Sequence, residues 1–378
     1  MSDWNKEGPI LHVVHSYRLG GMENMIAQMA YKLASMGFAI DICALTVADS
    51  FRSRLPDSVR VFELHRRCGI DLSCIFSLRS LVKNLRPCIV HSHNWNGLFY
   101  SVAALAGMAT PLVHGEHAEL YEWERVRWRL KLRKALYSRC DLVHTVSRGQ
   151  VAELNDLGVA QGADLNVICN GVDSDIFRPM KKGVARELLC IPPGGRCIGM
   201  VARFVPEKRH QLMLEAFRQL GNLFPDLNLI IAGAGGSCEE SIKWLVENHC
   251  FRKRIFWLGC NDRMVTVYNA LDLVVLPSTA EGMSNVCLEA MSCGTPVLRH
   301  QWGGIDELIE DGRNGFVRNL NDCVALVNSI ADILRDPGAM TACGLNARAA
   351  VELDYRLDKT AENYASFYKD AAGSLLTH

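Results

Sequence analysis

Two glutamates lie eight residues apart beside a predicted buried strand in the second half of the chain. Glu281 stands in the loop after the strand, and Glu289 stands in a helix that begins near Ser284. The backbone N–H groups of residues 282–285 would form an anion site at the positive end of that helix. Carboxylates do not bind phosphate but accept hydrogen bonds from hydroxyls, so the pair indicates a sugar or ribose. Two surface glutamates on an ordinary helix would show the same spacing. The spacing alone favours this interpretation over a binding site.

A pair of cations occupies a strand–helix turn of the same half. Arg203 ends the predicted strand CIGMVAR, and Lys208 begins the next helix. Arginine offers a planar fork of donors to a diphosphate, and lysine adds a compact charge beside it. A solvated basic loop is the common alternative, so the pair alone is a weak signal.

These residues need a scaffold, and the sequence predicts one of alternating strands and helices. Short apolar segments alternate with amphipathic helical ones, which is typical of parallel sheets covered by helices on both faces. The predicted strands of the first half are 10–16, 38–45, 88–92, 111–117, 141–146 and 166–170. Those of the second half are 197–203, 227–233, 254–259, 271–277 and 295–299. Ligands of such sheets bind beyond the carboxyl ends of the strands, where the strand order reverses.

The pattern predicts an α/β protein of two doubly wound domains, 1–172 and 197–355. Between them, 173–196 holds three prolines, three glycines and five basic residues, which is typical of a linker. A final helical segment, 356–378, is expected to cross back to the first domain.

Composition excludes several classes of protein. The 378 residues suit two domains of about 150 residues each. Lys plus Arg is 41 and Asp plus Glu is 41, so the chain lacks the overall basic charge of a nucleic-acid-binding protein. Fifteen cysteines contain no C-x-x-C pair, and most lie in apolar runs as core residues. No leader-like segment or spanning stretch is seen, so we expect a cytoplasmic protein, in contact with the inner face of the membrane at most.

One segment, 121–139, combines cations with aromatic residues. It contains seven basic and two acidic residues interleaved with tryptophans and tyrosines. It is either an interfacial or acceptor-binding helix facing anionic lipid, or a solvated helix whose Trp, Leu and Tyr side chains pack inward. The sequence favours neither.

Taken together, these residues resemble a known family. Glu281 to Glu289 match the E-x7-E signature of retaining glycosyltransferases. Further motifs, in order along the chain, make it similar to glycosyltransferase family 4: Gly20-Gly21, NGVD at 170–173, Arg203 with Lys208, and Gly303-Gly304-x-x-Glu307. The details HGEH (114–117) and EGMSN (281–285) resemble sugar transferases associated with bacterial exopolysaccharide and exosortase loci.

The resemblance implies the GT-B fold: two facing Rossmann-like domains, an acceptor-side domain at 1–172 and a nucleotide-sugar domain at 197–355, with an interdomain cleft. It implies a retaining, hexosyltransferase-type enzyme that uses a nucleotide diphosphate sugar. The acceptor would be a glycan or a lipid-linked molecule of cell-surface polysaccharide biosynthesis. A nucleotide-sugar epimerase on the same fold and a non-catalytic scaffold are the alternatives, and the intact set of site residues favours transfer.

Roles carry over residue by residue from the resemblance. Arg203 and Lys208 would neutralise the donor diphosphate, a role that suits their charge. Glu289 would bind the ribose hydroxyls, and Glu281 those of the donor sugar. The backbone contacts to the donor would come from Gly20, Gly21, Gly282, Met283, Ser284 and Asn285.

The segment PLVHGEH (111–117) resembles the family's strand-end histidine, which makes His117 a catalytic candidate that touches the donor sugar or acceptor. A lone histidine is more often structural, but histidines at two successive strand ends favour a site. The expected acceptor-side residues are His93, His114, Glu116 and Asn170.

The resemblance implies that protein cations, and not a metal ion, neutralise the donor diphosphate. The one D-x-D triplet, 173–175, opens the predicted linker, so we expect no cofactor and no obligatory metal. Three positions depart from the family pattern: Ala202 and Arg209 stand where glycine is usual, and Gly115 where threonine is common.

Overall fold

The computed structural model describes residues 8–17, 20–48, 55–120, 122–160, 165–279, 283–301 and 308–373. The chain divides into two compact units. One consists of Met1–Gly171 with Leu357–His378, and the other of Val172–Arg356.

The first unit is built on a parallel sheet. Its described strands are β1 (Ile10–Val14), β2 (Ile40–Ala44), β3 (Arg60–Glu63), β4 (Ile89–His93), β5 (Leu112–Glu116), β6 (Leu142–Thr145) and β7 (Leu165–Val167). Their order is β3-β2-β1-β4-β5-β6-β7, and every pair is parallel. The order reverses between β1 and β4. Strands β1, β2, β4 and β5 are buried along their whole length, as expected for a sheet covered on both faces.

Helices cover this sheet. They are α1 (Gly21–Ser35), α2 (Leu72–Leu85), α3 (Asn94–Leu105), α4 (Arg127–Tyr137) and α5 (Arg148–Asp156). Helix α3 lies close against β1, because a Cβ added at Gly97 would stand 2.7 Å from the Val13 carbonyl oxygen. The glycine is therefore required for this packing.

The second unit has a sheet of its own. Its described strands are β8 (Arg196–Val201), β9 (Leu227–Ala232), β10 (Ile255–Gly259), β11 (Leu273–Leu276), β12 (Val297–His300) and β13 (Phe316–Arg318), all parallel, in the order β10-β9-β8-β11-β12-β13. Its helices are α6 (Lys182–Leu188), α7 (His210–Leu223), α8 (Glu239–Glu247), α9 (Met264–Ala270), α10 (Asn285–Ser292), α11 (Cys323–Leu334) and α12 (Pro337–Asp354). The strand order reverses between β8 and β11.

The last helix, α13 (Leu357–Gly373), belongs to the first unit and packs on α1. Its apolar face joins one hydrophobic cluster with residues of α1 and β1. The buried residues of that face are Leu357, Ala361, Tyr364, Ala365, Phe367, Tyr368 and Ala371.

The predicted α/β class with two doubly wound parallel sheets is confirmed. The structure also contains elements that the sequence did not predict: strands β3 and β13 and helices α6, α8 and α9. Residues 173–196, predicted as a linker, lie within the second unit. The reason is Arg186, a buried cation whose guanidinium donates to Asp272 and to the carbonyl of Ala270, so that α6 is fastened to the sheet.

Two further properties concern the whole set of described residues. All fifteen cysteines are free thiols, and six of them are buried. Within the described ranges, no helix combines the length and apolar character that crossing a membrane requires.

Candidate active site

The predicted cations of the second unit lie just beyond β8, where its strand order reverses. Arg203 is exposed, and Lys208 is half-buried in a short 3-10 turn, Pro206–Lys208. Since parallel sheets bind ligands at this point, both side chains stand where an anionic ligand is expected.

The loop that carries these cations is fastened to the end of the neighbouring strand β11. The backbone N–H of Thr279 donates to the carbonyl of Glu207 over 2.9 Å. The sheet therefore brings together two segments that are about seventy residues apart in sequence, the basic turn and the start of the predicted donor loop. Glu281 and Gly282 follow directly, but they lie outside the described residues, as do Gly303, Gly304 and Glu307.

The described part of the donor segment continues into α10. Met283 and Ser284 are buried, and Ser284 occupies the N-cap position of the helix in extended backbone. Asn285, half-buried, is its first residue. The N–H groups of the first turn carry the positive end of the helix dipole, which suits an anion.

Glu289, on the same helix, is held by a residue that the sequence did not indicate. The Tyr268 hydroxyl on α9 donates to Oε2 of Glu289 over 2.6 Å. Burial, then the nearby Glu289 charge, raise the pKa of Tyr268 well above its usual value, so the hydroxyl stays a donor. One carboxylate oxygen is thereby fixed. No motif contains Tyr268, and no sequence signal pointed to it.

Arg209 explains one departure from the family pattern. It adopts φ of +58°, the left-handed region that glycine favours, between the 3-10 turn and α7. Its guanidinium donates to the carbonyl of Leu320 over 2.8 Å and also to that of Asn321. These bonds stabilise a backbone conformation that arginine otherwise disfavours, so the basic turn keeps its shape without glycine.

In the first unit the predicted glycines begin α1, directly after β1. Gly20 is the N-cap residue in extended conformation, and Gly21 is the first helical residue. A Cβ at Gly20 would stand 2.2 Å from Oε2 of Glu23, so the glycine leaves room for that carboxylate. This helix start also lies at the reversal of its sheet.

His117 and His93 contact each other. Nε2 of His117 lies 2.8 Å from Nδ1 of His93, and the His117 backbone N–H donates to Oδ1 of Asn94 over 3.0 Å. His117 is half-buried, and burial lowers its pKa to about 4 although Glu116 opposes the shift. The imidazole is therefore neutral at physiological pH, and its remaining nitrogen, Nδ1, is either a donor or an acceptor according to tautomer.

His114 and Glu116 lie in an internal polar network. The two nitrogens of His114 contact Oγ of Ser92 at 2.9 Å and Oε1 of Glu116 at 3.1 Å. Glu116 also forms an ion pair with buried Arg133 and accepts from the Tyr137 hydroxyl over 2.7 Å. Both residues are buried and held within this network, so we regard both as positioning residues.

Asn170 and the D-x-D triplet lie near the boundary of the units. Asn170 is buried in the first unit after β7. Oδ1 of Asp173 accepts from the backbone N–H groups of Asp175 and Ile176, both at 3.1 Å. The triplet thus closes a local turn in the second unit.

In the basic segment 121–139, only Arg127–Tyr137 is helical, and Tyr121 lies outside the described residues. Leu136 and Tyr137 pack inward, as does Arg133, whereas Trp123 and Trp128 are 52% and 60% exposed. The Arg129 guanidinium lies 4.8 Å from the centres of both indole rings. The segment thus presents two tryptophans and several cations to solvent. Only some of its apolar side chains pack inward, as the solvated-helix interpretation expected of all of them.

Two family models match consecutive parts of the chain. Residues 19–176 match the model described as "Glycosyltransferase Family 4", and residues 185–350 match "Glycosyl transferases group 1". Among curated relatives, the D-inositol 3-phosphate glycosyltransferase of Mycobacterium avium (strain 104) is 27% identical over 298 residues, which are 75% of this chain and 69% of the relative. The same enzyme of Mycobacterium leprae (strain TN) is 28% identical over 305 residues, 75% and 69% of the two chains.

Solved structures are similar over almost the whole chain. Sucrose-phosphate synthase from Thermosynechococcus elongatus has a TM-score of 0.84 at 21% identity, covering 97% of this chain and 100% of that one. Anabaena Alr3699/HepE in complex with UDP-glucose has a TM-score of 0.81 at 21% identity, covering 96% and 99%. These similarities show the fold.

Proposed function

We propose that this chain transfers a sugar from a nucleotide diphosphate sugar to a glycan or lipid-linked acceptor, with retention of the anomeric configuration. The chain belongs to the glycosyltransferases and has their GT-B fold. The proposal includes a role in cell-surface polysaccharide biosynthesis and a hexose as the donor sugar. The observation that supports it is the hydrogen bond from the Thr279 N–H to the Glu207 carbonyl, which joins the turn that carries Arg203 and Lys208 to the residues just before the predicted donor segment.

The chemistry suits these side chains. Cleavage of a glycosyl–phosphate bond builds negative charge on the leaving diphosphate, and fixed cations with helix-end N–H groups stabilise that charge. Arg203 and Lys208 would supply the cations, and α10 the N–H groups. Glu289, oriented by the hydroxyl of Tyr268, would accept hydrogen bonds from the ribose hydroxyls.

The donor sugar would be held by Glu281 and Gly282, and His117 would contact the sugar or the acceptor. In a front-face reaction, the leaving phosphate assists in removing the proton of the acceptor hydroxyl. His117 is neutral, so its Nδ1 can donate or accept a hydrogen bond there without a change of charge.

The donor proposal is tested with the intact chain. A thermal-shift screen against UDP-, GDP- and ADP-sugars should show a higher melting temperature with one nucleotide class, because ligands that bind only the folded state stabilise it. Anabaena Alr3699/HepE, which has a similar fold, is in complex with UDP-glucose, and this makes UDP-glucose the first probe.

With the donor identified, Lys208→Ala and Glu289→Ala should each reduce transfer at least about 100-fold while the protein still folds. Matched controls are Lys253→Ala and Glu240→Ala, two exposed residues of the same unit that should keep full activity. Near wild-type transfer in either site variant would contradict the assignment.

Activity that survives EDTA supports neutralisation by protein cations, whereas a strict Mg²⁺ requirement would overturn it. Product analysis with and without acceptor separates transfer from epimerisation.

The exposed tryptophans and cations of the basic segment lead us to propose contact with anionic membrane, where a lipid-linked acceptor would reside. The protein should sediment with vesicles that contain anionic lipid and be released by salt. Changing Trp123 and Trp128 to Ser should weaken binding several-fold, whereas changing exposed Trp244 on α8 to Ser should leave it unchanged. Equal binding to neutral vesicles, or no effect of the double variant, would refute this contact.

A further inference from the structure

Five histidines of the first unit form a group across the neighbouring strands of its sheet. We name the group the histidine cluster; it consists of His12 on β1, His91 and His93 on β4, His117 after β5, and His144 on β6. Nδ1 of His12 lies 2.9 Å from Nε2 of His93, and Nε2 of His91 lies 3.1 Å from Nε2 of His144. With the contact between His93 and His117, nitrogen–nitrogen contacts link His12, His93 and His117 in one group and His91 with His144 in another. The two groups meet where the ring centres of His91 and His93 lie 4.1 Å apart.

The proposed transfer reaction does not account for most of this group. It uses His117 and its neighbour His93, whereas His12, His91 and His144 have no role in it. All three are buried, with 4% exposure or less, on strands whose other buried positions are mostly aliphatic. Burying polar rings carries a free-energy cost that aliphatic side chains at the same positions would avoid.

The backbone also makes room for the cluster at Gly115. A Cβ added there would stand 2.5 Å from Nε2 of His144 and 3.0 Å from Nε2 of His117. The missing side chain, at a position where threonine is common in the resembled family, therefore lets two of the rings converge.

We propose that His12, His91 and His93 bind one divalent transition-metal ion of the zinc, cobalt or nickel type. One nitrogen of each ring can be chosen so that all three lie within 4.8 Å of one another. A tetrahedral ion with bonds of about 2.0–2.1 Å holds its ligand nitrogens about 3.3 Å apart, so the rings need to draw together by about 1.5 Å at most.

The surroundings leave a small space beside two of the ligands and hold the rings in place. A cavity of about 10 Å³ is lined by His12, His93 and His117 and by the side chains of Met25, Ile26, Met29, Tyr364 and Tyr368. This volume is about what one water molecule, the fourth ligand in this proposal, requires. Both nitrogens of His91 have a partner, Tyr368 at 2.8 Å and His144 at 3.1 Å. Binding the ion replaces one of these contacts, and the other continues to hold the ring. Such second contacts orient metal-binding histidines.

The donor set selects the kind of metal. Imidazole nitrogens suit zinc, nickel, cobalt and copper, whereas magnesium and calcium require oxygen ligands. A neutral imidazole has one ring nitrogen whose lone pair can bind such an ion.

The test uses the full chain without a histidine tag, freed of metal by dialysis against a chelator and titrated with Co²⁺. We expect one ion per chain and the visible absorption of a four-coordinate cobalt ion with nitrogen ligands. His12→Gln should weaken binding by more than the roughly 10–100-fold that losing a second contact costs. The matched control is His65→Gln, because His65 is exposed and outside the cluster.

X-ray absorption of the wild-type cobalt complex keeps the test decisive if His12→Gln fails to fold. Nitrogen ligands in the first shell support the proposal. Sulfur ligands would assign the ion to the free cysteines and overturn it, as would undetectable binding or a His12→Gln variant with wild-type affinity. None of these measurements depends on sugar transfer. A failed metal-binding test would therefore not argue against the proposed reaction, and a failed transfer assay would not argue against the metal site.

Discussion

Glu289 owes its fixed orientation to the Tyr268 hydroxyl, which comes from the neighbouring helix. The carboxylate is only half-buried, so water could otherwise compete for the oxygen that Tyr268 binds. A hydrogen bond to a charged group contributes about 1.5–3 kcal/mol. If Glu289 binds the ribose, part of that energy becomes donor affinity, because the carboxylate is oriented before the donor arrives.

Tyr268→Phe therefore should raise the KM for the nucleotide sugar about 10-fold and change kcat little. The fold should persist, since only a hydroxyl is lost and the ring still fills its site. Steady-state kinetics with varied donor measure both constants. Tyr100→Phe, which removes a buried hydroxyl from the first unit, is the control and should leave the KM unchanged. An unaltered KM in Tyr268→Phe would contradict the orienting role.

Individual residues differ in how far the sequence revealed them. Arg203 and Lys208 were predicted as site residues because a cation pair after a strand belongs to a known pattern. Tyr268 was not, because its contact with Glu289 depends on how two helices pack. His12 and His144 looked like ordinary strand residues, although ILHVV, IVHSH and LVHT each carry a histidine as their third residue. Only the strand order shows that these repeats converge.

At the scale of elements, β5 and α4 are joined by one buried ion pair. Arg133 of α4 is 1% exposed and Glu116 of β5 is 3% exposed. Burial alone would raise the pKa of Glu116, but the attraction of Arg133 and contacts with His114 and Tyr137 lower it to about 2. Glu116 therefore stays ionised in the folded state far below the pH at which it gains a proton in the unfolded chain.

This lowered pKa predicts a loss of stability in acid. The contribution of Glu116 is complete above its unfolded pKa, near 4.5, and disappears as the pH falls towards 2. Between pH 5 and 3, the unfolding free energy of the wild type should fall about 2 kcal/mol more than that of Glu116→Gln. Denaturant titrations across this range measure the difference. Exposed Glu122→Gln should follow the wild-type curve, and parallel curves for Glu116→Gln would refute the pairing.

Elements with strong periodicity were predicted well, and short ones were not. The strand ILHVV is an apolar run interrupted only by His12, and one window of sequence reveals it. In α1 the buried residues Met25, Ile26, Met29 and Leu33 recur at helical spacing. The seven-residue helices α6 and α9 are too short for a clear period. In α6, prolines and glycines on either side indicated a linker, whereas the Arg186–Asp272 pair that anchors it joins residues 86 positions apart.

For the whole molecule, the second unit is an uninterrupted insertion. Its chain enters and leaves at adjacent points, where the Val172 N–H donates to the Tyr355 carbonyl over 2.9 Å. The described core residues of its sheet, from Ile198 to Cys343, all come from this one segment. The first unit instead needs residues from both sides of the insertion.

We therefore expect residues 172–356, expressed alone, to fold and melt cooperatively. Residues 1–171 alone should not, because they lack the seven buried residues of α13. Circular dichroism and thermal melting of the two fragments make the comparison. A peptide of residues 357–373 added to the larger fragment should restore a transition. A cooperative melt of 1–171 without the peptide would show that α13 is dispensable.

Because the core of the first unit includes α13, the two units must fold in a particular order while the chain is synthesised. Residues 1–171 emerge first but lack the helix that covers α1, so hydrophobic surface that will later be buried stays accessible. The second unit is complete once residue 356 has emerged, and the first must wait for the residues up to Ala371. Folding during translation thus runs against chain order, and the exposed half-finished unit is the stage at which chaperones would be needed.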